Sequence, residues 1–182
     1  IPLYIHAPEE SAPWQPGAAS RWWLHHSLVA LNRSLRERGS HLVLRHGPSL
    51  TALQQLIGES RAQAVFWNRQ YEPAHLARDQ AIQQALRAQG LVAESFNASL
   101  LFEPWQIAKG NGEPYRVFTP YWKTCQQRGL PQAAAVPLAA TLPPVPRLLE
   151  SKKLAAFKLL PRIPWDTGLS AVWQPGEADT QQ

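Results

Sequence analysis

The sequence predicts an α/β fold with a Rossmann-like, doubly wound parallel sheet. Four short apolar segments alternate with three segments of helical periodicity, so that strands and helices follow one another in turn. This alternation is typical of βαβ units, in which each crossover helix returns the chain to the same end of the sheet. With 182 residues, the chain is long enough for one domain with its own core.

The first two strands enclose a long amphipathic helix. Residues 1–6 (IPLYIH) form the first predicted strand, and a Pro/Gly-rich loop follows it. The helix is predicted to begin with Ser20 as its N-cap and to end at Gly39. Apolar residues recur between them at helical spacing, at Leu24, Leu28, Leu31 and Leu35. Residues 41–45 (HLVLR) then form the second strand.

Two further helix–strand pairs complete the alternation. A proline opens each predicted helix and a glycine stands near its end, over residues 48–58 and 73–90. The strands between and after them are residues 64–67 (AVFW) and 91–96 (LVAESF). The predicted sheet therefore contains four strands before the pattern stops.

An aromatic-rich segment, residues 96–122, follows the fourth predicted strand. It surrounds a Gly-X-Gly turn at residues 110–112. Loops beyond the carboxyl ends of parallel strands are where α/β folds hold ligands. The segment therefore predicts a site for a flat ligand or a partner domain, with a hydrophobic loop that caps the core as the alternative.

Several classes of site are excluded by missing motifs. No Gly-X-Gly-X-X-Gly or Gly-Lys-Ser/Thr motif cradles a phosphate, and no Gly-X-Ser-X-Gly elbow is present. The one cysteine, Cys125, cannot form an internal disulfide, and no His/Cys spacing fits a metal. We predict no catalytic residue and no metal ligand. Apolar runs are too short to span a bilayer, and the net charge of +5 permits contact with nucleic acid.

The carboxyl-terminal third differs in composition from the rest. Residues 131–146 are rich in Ala and Pro and predict an extended linker. Residues 147–182 are interrupted by prolines and glycines, and their two tryptophans need a surface to pack on. We therefore predict an α/β domain over residues 1–130 and an interdomain linker over residues 131–182.

Four spaced segments resemble the amino-terminal α/β domain of the DNA photolyase/cryptochrome family. They are SRWWLHHSL (20–28), FWNRQYEP (66–73), SFNASLLFEPW (95–105) and PYRVFTPYW (114–122). The closing AVWQPGE (171–177) is similar to the segment that leads into the family's flavin-binding helical domain. The first and third segments are most similar to those of bacterial photolyases that resemble plant cryptochromes.

The resemblance implies the light-harvesting-cofactor domain of a deoxyribodipyrimidine (cyclobutane pyrimidine dimer) photolyase, a lyase that repairs DNA with light. The alternatives are a cryptochrome-type blue-light photoreceptor without repair activity and a non-photochemical Rossmann-like carrier-binding module. FAD is expected only in a helical domain outside this sequence, so the chain alone is expected to be inactive. Expected partners of the full-length protein, a cytoplasmic monomer without membrane contact, are UV-damaged DNA and its own FAD-binding domain.

The resemblance also implies a first strand and a second chromophore. The strand is expected before Ile1 and central in the sheet. The antenna is expected to be a methenyltetrahydrofolate-type cofactor in preference to a deazaflavin.

Five residues are the candidate cofactor-binding positions. Asn111 and Glu113 match the family's Asn-X-Glu positions that hold the folate, and Glu103 is a second carboxylate at the same edge. Trp14 stands in the loop where some folate-binding members have a histidine. Arg21 either pairs with a carboxylate or is solvated.

Overall fold

A computed structural model describes residues 1–11, 14–129, 137 and 139–177, and among them the α/β class is confirmed. The chain divides into two compact units. Unit 1 contains the described residues of 1–65, 71–93 and 139–182, and unit 2 contains those of 66–70 and 94–138. The predicted division into residues 1–130 and 131–182 stays a prediction, and much of the predicted linker at 131–146 lies outside the described residues.

Strands and helices alternate in the predicted order. The strands are β1 (Leu3–His6), β2 (Val43–His46), β3 (Ala64–Asn68) and β4 (Val92–Phe96). The helices are α1 (Ala18–Glu37), α2 (Ser49–Ser60), α3 (Pro73–Ala88), α4 (Phe118–Arg128) and a short α5 (Leu169–Val172). Two 3₁₀ turns lie at Pro8–Ser11 and Leu154–Phe157.

The described strands form two sheets of two strands each. β1 pairs in parallel with β2, in a register that runs from Leu3 opposite Val43 to His6 opposite His46. β3 pairs with β4, where Val92 N donates to Gln63 O at 3.0 Å and Arg69 N donates to Phe96 O at 2.8 Å. From the first bond to the second, the residue number increases along both strands, so this pair is parallel too. The strand that the resemblance implies before Ile1 stays a prediction.

The amino end of α1 differs from the prediction. Ser20 lies within the first turn, and the N-cap is Gly17, whose backbone is extended (φ −66°, ψ 175°). Arg21 N donates to Gly17 O at 3.0 Å. Glycine has no side chain that could cap the free N–H groups, and among the described residues no side-chain hydrogen bond caps this end of the helix.

The carboxyl end of α1 is as predicted. Gly39 has a left-handed φ of +88°, which a residue without a Cβ adopts at little cost. Gly39 N donates to Arg36 O at 3.0 Å, and Ser40 N donates to Leu35 O at 2.9 Å. These two bonds form a Schellman motif, which satisfies the last carbonyls of the helix.

Two helical features were not predicted. α2 continues past Gly58 and is closed instead by Arg61, which adopts a left-handed conformation (φ 56°). α4 lies in the region that the sequence predicted as an aromatic loop. Its signal was the spacing of Phe118, Trp122 and Cys125, which recur at helical intervals along one side.

The core of unit 1 covers both faces of the β1–β2 sheet. One cluster contains Leu28, Leu42, Leu44, Phe157 and Leu159, and the other contains Val43, Leu56, Val145 and Leu149. Successive residues of β2 enter opposite clusters because side chains alternate across a strand. Helix α1 therefore packs on one face and α2 on the other, as expected for a doubly wound fold.

The described carboxyl-terminal segment, residues 139–177, is part of unit 1 and contributes to its core. Phe157 and Leu159 are buried in the first cluster beside Leu28 of α1. Farther along, the ring of Trp173 meets Trp23 edge-on at 6.0 Å between centroids. This part of the chain has little regular structure, and the buried side chains of Phe157 and Leu159 belong to a core that α1 and β2 also form.

Candidate functional site

The carboxyl ends of β3 and β4 are joined by Arg69 in unit 2. Its Nε donates to Ser95 Oγ at 3.1 Å, and its Nη2 donates to Ser95 O at 2.7 Å. Its Nη1 forms an ion pair with Glu103, and its guanidinium carbon lies 5.0 Å from the ring centroid of Trp105. The cation lies within the usual range of a cation–π contact. One arginine therefore holds the start of the aromatic segment against the strand ends.

Glu103, a predicted cofactor-binding residue, is part of this anchor. The residue is only 7% exposed, and its carboxylate neutralises Arg69. Its backbone N–H donates to Gln106 Oε1 at 2.9 Å, and Gln106 N returns a bond to Glu103 O at 2.9 Å. These contacts give Glu103 a structural role, while its contact with a ligand stays a prediction.

Asn111 and Glu113 lie together in one tight turn of unit 2. Gly112, with φ +83°, donates its N–H to Lys109 O at 2.8 Å, and Lys109 N donates to Glu113 O at 2.8 Å. Asn111 Oδ1 accepts from Glu113 N at 3.2 Å, and Lys109 Nζ lies 3.3 Å from Glu113 Oε2. The turn therefore fixes both backbones while the Glu113 side chain stays 61% exposed.

The remaining hydrogen-bonding groups of this turn suit a heteroaromatic ligand. Within the described residues, Asn111 Nδ2 and Glu113 Oε1 have no hydrogen-bond partner. An amide N–H₂ can donate to a ring nitrogen or carbonyl, and a carboxylate oxygen can accept from a ring N–H or exocyclic amine. A pterin presents both kinds of group on one edge. These two groups are compatible with the folate that the resemblance implies, and its binding here stays a prediction.

Trp14 and Arg21 lie in unit 1. Trp14 is 86% exposed. Arg21 Nη1 donates to Pro16 O at 2.8 Å, which ties the helix to the loop before it. Arg21 was expected either to pair with a carboxylate or to be solvated. In the structure it is exposed, and its guanidinium donates to a backbone carbonyl. Contact of either residue with a cofactor stays a prediction.

The aromatic residues of α4 divide into a packed and an exposed set. Tyr121 packs against the small core of unit 2, which contains Phe102, Ile107 and Cys125. A hydrogen bond with Cys125, and then burial, raises the pKa of the Tyr121 hydroxyl. Phe118, 71% exposed, stacks on Trp122 with a centroid separation of 6.2 Å and an interplanar angle of 8°.

Two histidines meet at the carboxyl edge of the β1–β2 sheet, which the sequence did not single out as a pair. His6 and His46 are opposite each other in the register, 5.6 Å apart between ring centroids. His6 also stacks on Phe157 at 4.8 Å. Burial and the neighbouring His46 lower the pKa of His6, and Glu9 partly opposes them. Among the described residues, no group of three potential ligands could hold a metal ion.

Comparison with known proteins gives the same family along most of the chain. The profile of the family described as DNA photolyase matches residues 1–144. The deoxyribodipyrimidine photo-lyase of Agrobacterium fabrum is 43% identical over 179 residues, which cover 97% of this chain and 36% of that protein. Cryptochrome-1 of Arabidopsis thaliana is 39% identical over 126 residues, which cover 69% of this chain and 18% of that protein.

The fold comparison agrees with the sequence comparison. The crystal structure of a bacterial class III photolyase from Agrobacterium tumefaciens matches with a TM-score of 0.84 and 42% identity, over 97% of this chain and 36% of that one. The chain thus spans about a third of the length of these two photolyases. Within the part that the structure describes, no helix has the length and apolar character needed to cross a membrane.

Proposed function

The chain belongs to the DNA photolyase family, and from this premise we propose that it is the N-terminal light-harvesting-cofactor domain of a deoxyribodipyrimidine photolyase. The reaction is light-dependent splitting of cyclobutane pyrimidine dimers in UV-damaged DNA. The observation that carries the proposal is the match to a photolyase over 97% of the chain at 43% identity.

A cryptochrome-type photoreceptor is the alternative function. Its support is the 39% identity to a plant cryptochrome, which extends over 69% of the chain. Repair distinguishes the two. The full-length gene product should restore thymine-dimer-containing oligonucleotides under blue light and leave them unchanged in the dark. Flavin photoreduction without any repair would favour the photoreceptor and contradict the photolyase.

The antenna proposal rests on the turn around Asn111. We propose that Asn111 and Glu113 hold a methenyltetrahydrofolate-type cofactor, in preference to a deazaflavin, with Glu103, Trp14 and Arg21 as further candidate contacts. Such a cofactor absorbs near-ultraviolet light and passes the excitation to a flavin. The residues of this chain would bind and orient it through Asn111 Nδ2 and Glu113 Oε1, the polar side-chain atoms that the contacts within the turn leave unpaired.

FAD and the DNA lesion are assigned to a helical domain beyond these residues. We therefore expect the 182 residues alone to hold no flavin and to repair nothing. The proposed full-length enzyme is a cytoplasmic monomer whose partners are its own FAD-binding domain and damaged DNA. Stoichiometric flavin in a preparation of residues 1–182 would contradict this assignment.

The assignment of Glu113 is tested in the full-length gene product. Glu113→Ala should lower the near-ultraviolet band of bound folate relative to the flavin band, while repair under direct flavin excitation stays unchanged. Glu94→Ala is the matched control, because Glu94 is also an exposed carboxylate of unit 2 but lies within β4. Unchanged folate content in Glu113→Ala would refute the role of Glu113.

A further inference from the structure

Most of the net positive charge of the chain lies in one short segment. Residues 147–162, called here the basic strap, contain five cations and one carboxylate, Glu150. The cations are Arg147, Lys152, Lys153, Lys158 and Arg162. The strap therefore carries +4 of the chain's +5, and the other residues together are nearly neutral. Such concentration of like charge costs self-repulsion unless a counter-charge neutralises it.

The cations of the strap have no structural partner. All five are exposed, and none takes part in an ion pair within the described part of the chain. Some other cations of the chain are paired, since Arg45 forms an ion pair with Glu59 and Arg69 forms one with Glu103. The charges of the strap are thus available to an external anion.

The backbone that carries these cations is fixed within unit 1 by contacts with β2 and with the core. Lys152 N donates to Leu44 O at 2.9 Å, and Leu44 N donates to Ser151 Oγ at 3.0 Å, so the strap is bonded to β2. Leu149, Phe157 and Leu159 are buried in the two core clusters. The anchors leave only side chains to be ordered on binding, which lowers the entropic cost of a contact.

Nucleic acid fits this surface better than a lipid bilayer. The helical part of the strap is a single 3₁₀ turn of four residues, too short for an amphipathic interfacial helix. Three of its large apolar side chains, Leu149, Phe157 and Leu159, already serve the core of the protein. Duplex DNA presents one negative charge about every 1.7 Å along its axis, which exposed and unpaired cations can neutralise.

We propose that the basic strap, residues 147–162, contacts the phosphate backbone of duplex DNA independently of sequence and of the lesion. The inference rests on the proposed function, since it assigns a second DNA contact to the photolyase.

The test measures how DNA binding depends on salt. Full-length gene product is titrated into a fluorescent, undamaged 20-base-pair duplex at NaCl concentrations from 50 to 200 mM. Lys152→Gln/Lys153→Gln should reduce the slope of log K against log [NaCl] by about 1.8, because each phosphate contact contributes about 0.9. The matched control is Arg33→Gln/Arg36→Gln, which removes two exposed cations of α1 that also have no ion pair among the described residues.

Each outcome bears on the strap alone. A reduced slope in the strap variant with an unchanged control slope supports the proposal. An unchanged strap slope, or an equal reduction in the control, overturns it. If the strap variant loses affinity for phosphatidylserine vesicles but keeps its DNA binding, that result also overturns the proposal. Dimer repair by the wild type is measured separately, so failure of the proposed function would show as absent repair, whatever the slopes.

Discussion

Replacing Glu103 by alanine tests whether this buried carboxylate is a structural anchor or a ligand contact. The Arg69 side chain is 22% exposed and that of Glu103 is 8% exposed, so the pair is shielded from solvent. Removing one partner of a fully buried pair costs about 3–5 kcal/mol. Arg69 keeps its two side-chain bonds to Ser95 and its contact with Trp105. We therefore expect the lower value of about 2 kcal/mol, typical of a lost hydrogen bond to a charged group.

The assay is hydrogen exchange of the full-length gene product, read by mass spectrometry over peptides from residues 94–128. A loss of about 2 kcal/mol corresponds to about 30-fold faster exchange of amides that open with unit 2. Glu94→Ala, at an exposed site, should change exchange little. In a double-mutant cycle, Glu103→Ala should cost little more in an Arg69→Met background, because the pair is already broken.

The opposite result would refute this reasoning. If Glu103→Ala exchanges at the wild-type rate and loses the antenna absorption, the carboxylate binds the cofactor and the ion pair with Arg69 contributes little. Faster exchange together with unchanged antenna content would establish the anchor and remove Glu103 from the ligand set.

Two further predictions concern unit 1. Phe157→Ala should destabilise the protein by about 3 kcal/mol, because it removes a buried ring from the first core cluster. In thermal unfolding this loss should lower Tm by about 6–12 °C. The control, Leu148→Ala at an exposed site, should change Tm little. His6 favours its neutral form in the fold, because burial and His46 lower its pKa below 6.5. The unfolded state then binds more protons, so stability present at neutral pH should fall as the pH drops below 6.5. Urea unfolding from pH 7 to 5 should show a shallower loss in His6→Gln, and an equal loss in both proteins would contradict the assignment.

Several features of this chain were predictable from local sequence because local forces produce them. The α/β alternation, the proline at the start of α3 and the glycine stop of α1 follow from periodicity and from the backbone preferences of single residues. The amphipathic pattern of α1 also fits the burial of Trp22, whereas the neighbouring Trp23 is exposed.

Other predictions were wrong or stayed untested, because the local sequence supported more than one interpretation. α4 was missed since its aromatic residues suggested a pocket loop as readily as a helix face. The end of α2 was placed too early, because Gly58 is tolerated inside a helix that Arg61 closes. Glu103 was predicted as a ligand residue because it is a second carboxylate at the same edge, and its ion pair with Arg69, 34 positions away, has no signal in the linear sequence.

The sequence by itself determined the fold class, the family resemblance and the Asn-X-Glu turn, because each depends on residues that are close together in the chain. Only the tertiary structure decided how distant residues are used. It paired Glu103 with Arg69, brought His6 opposite His46, and anchored the basic strap to β2 while leaving its cations exposed. Such pairings depend on long-range packing and on which charges are buried, and these are properties of the folded chain that local sequence patterns do not specify.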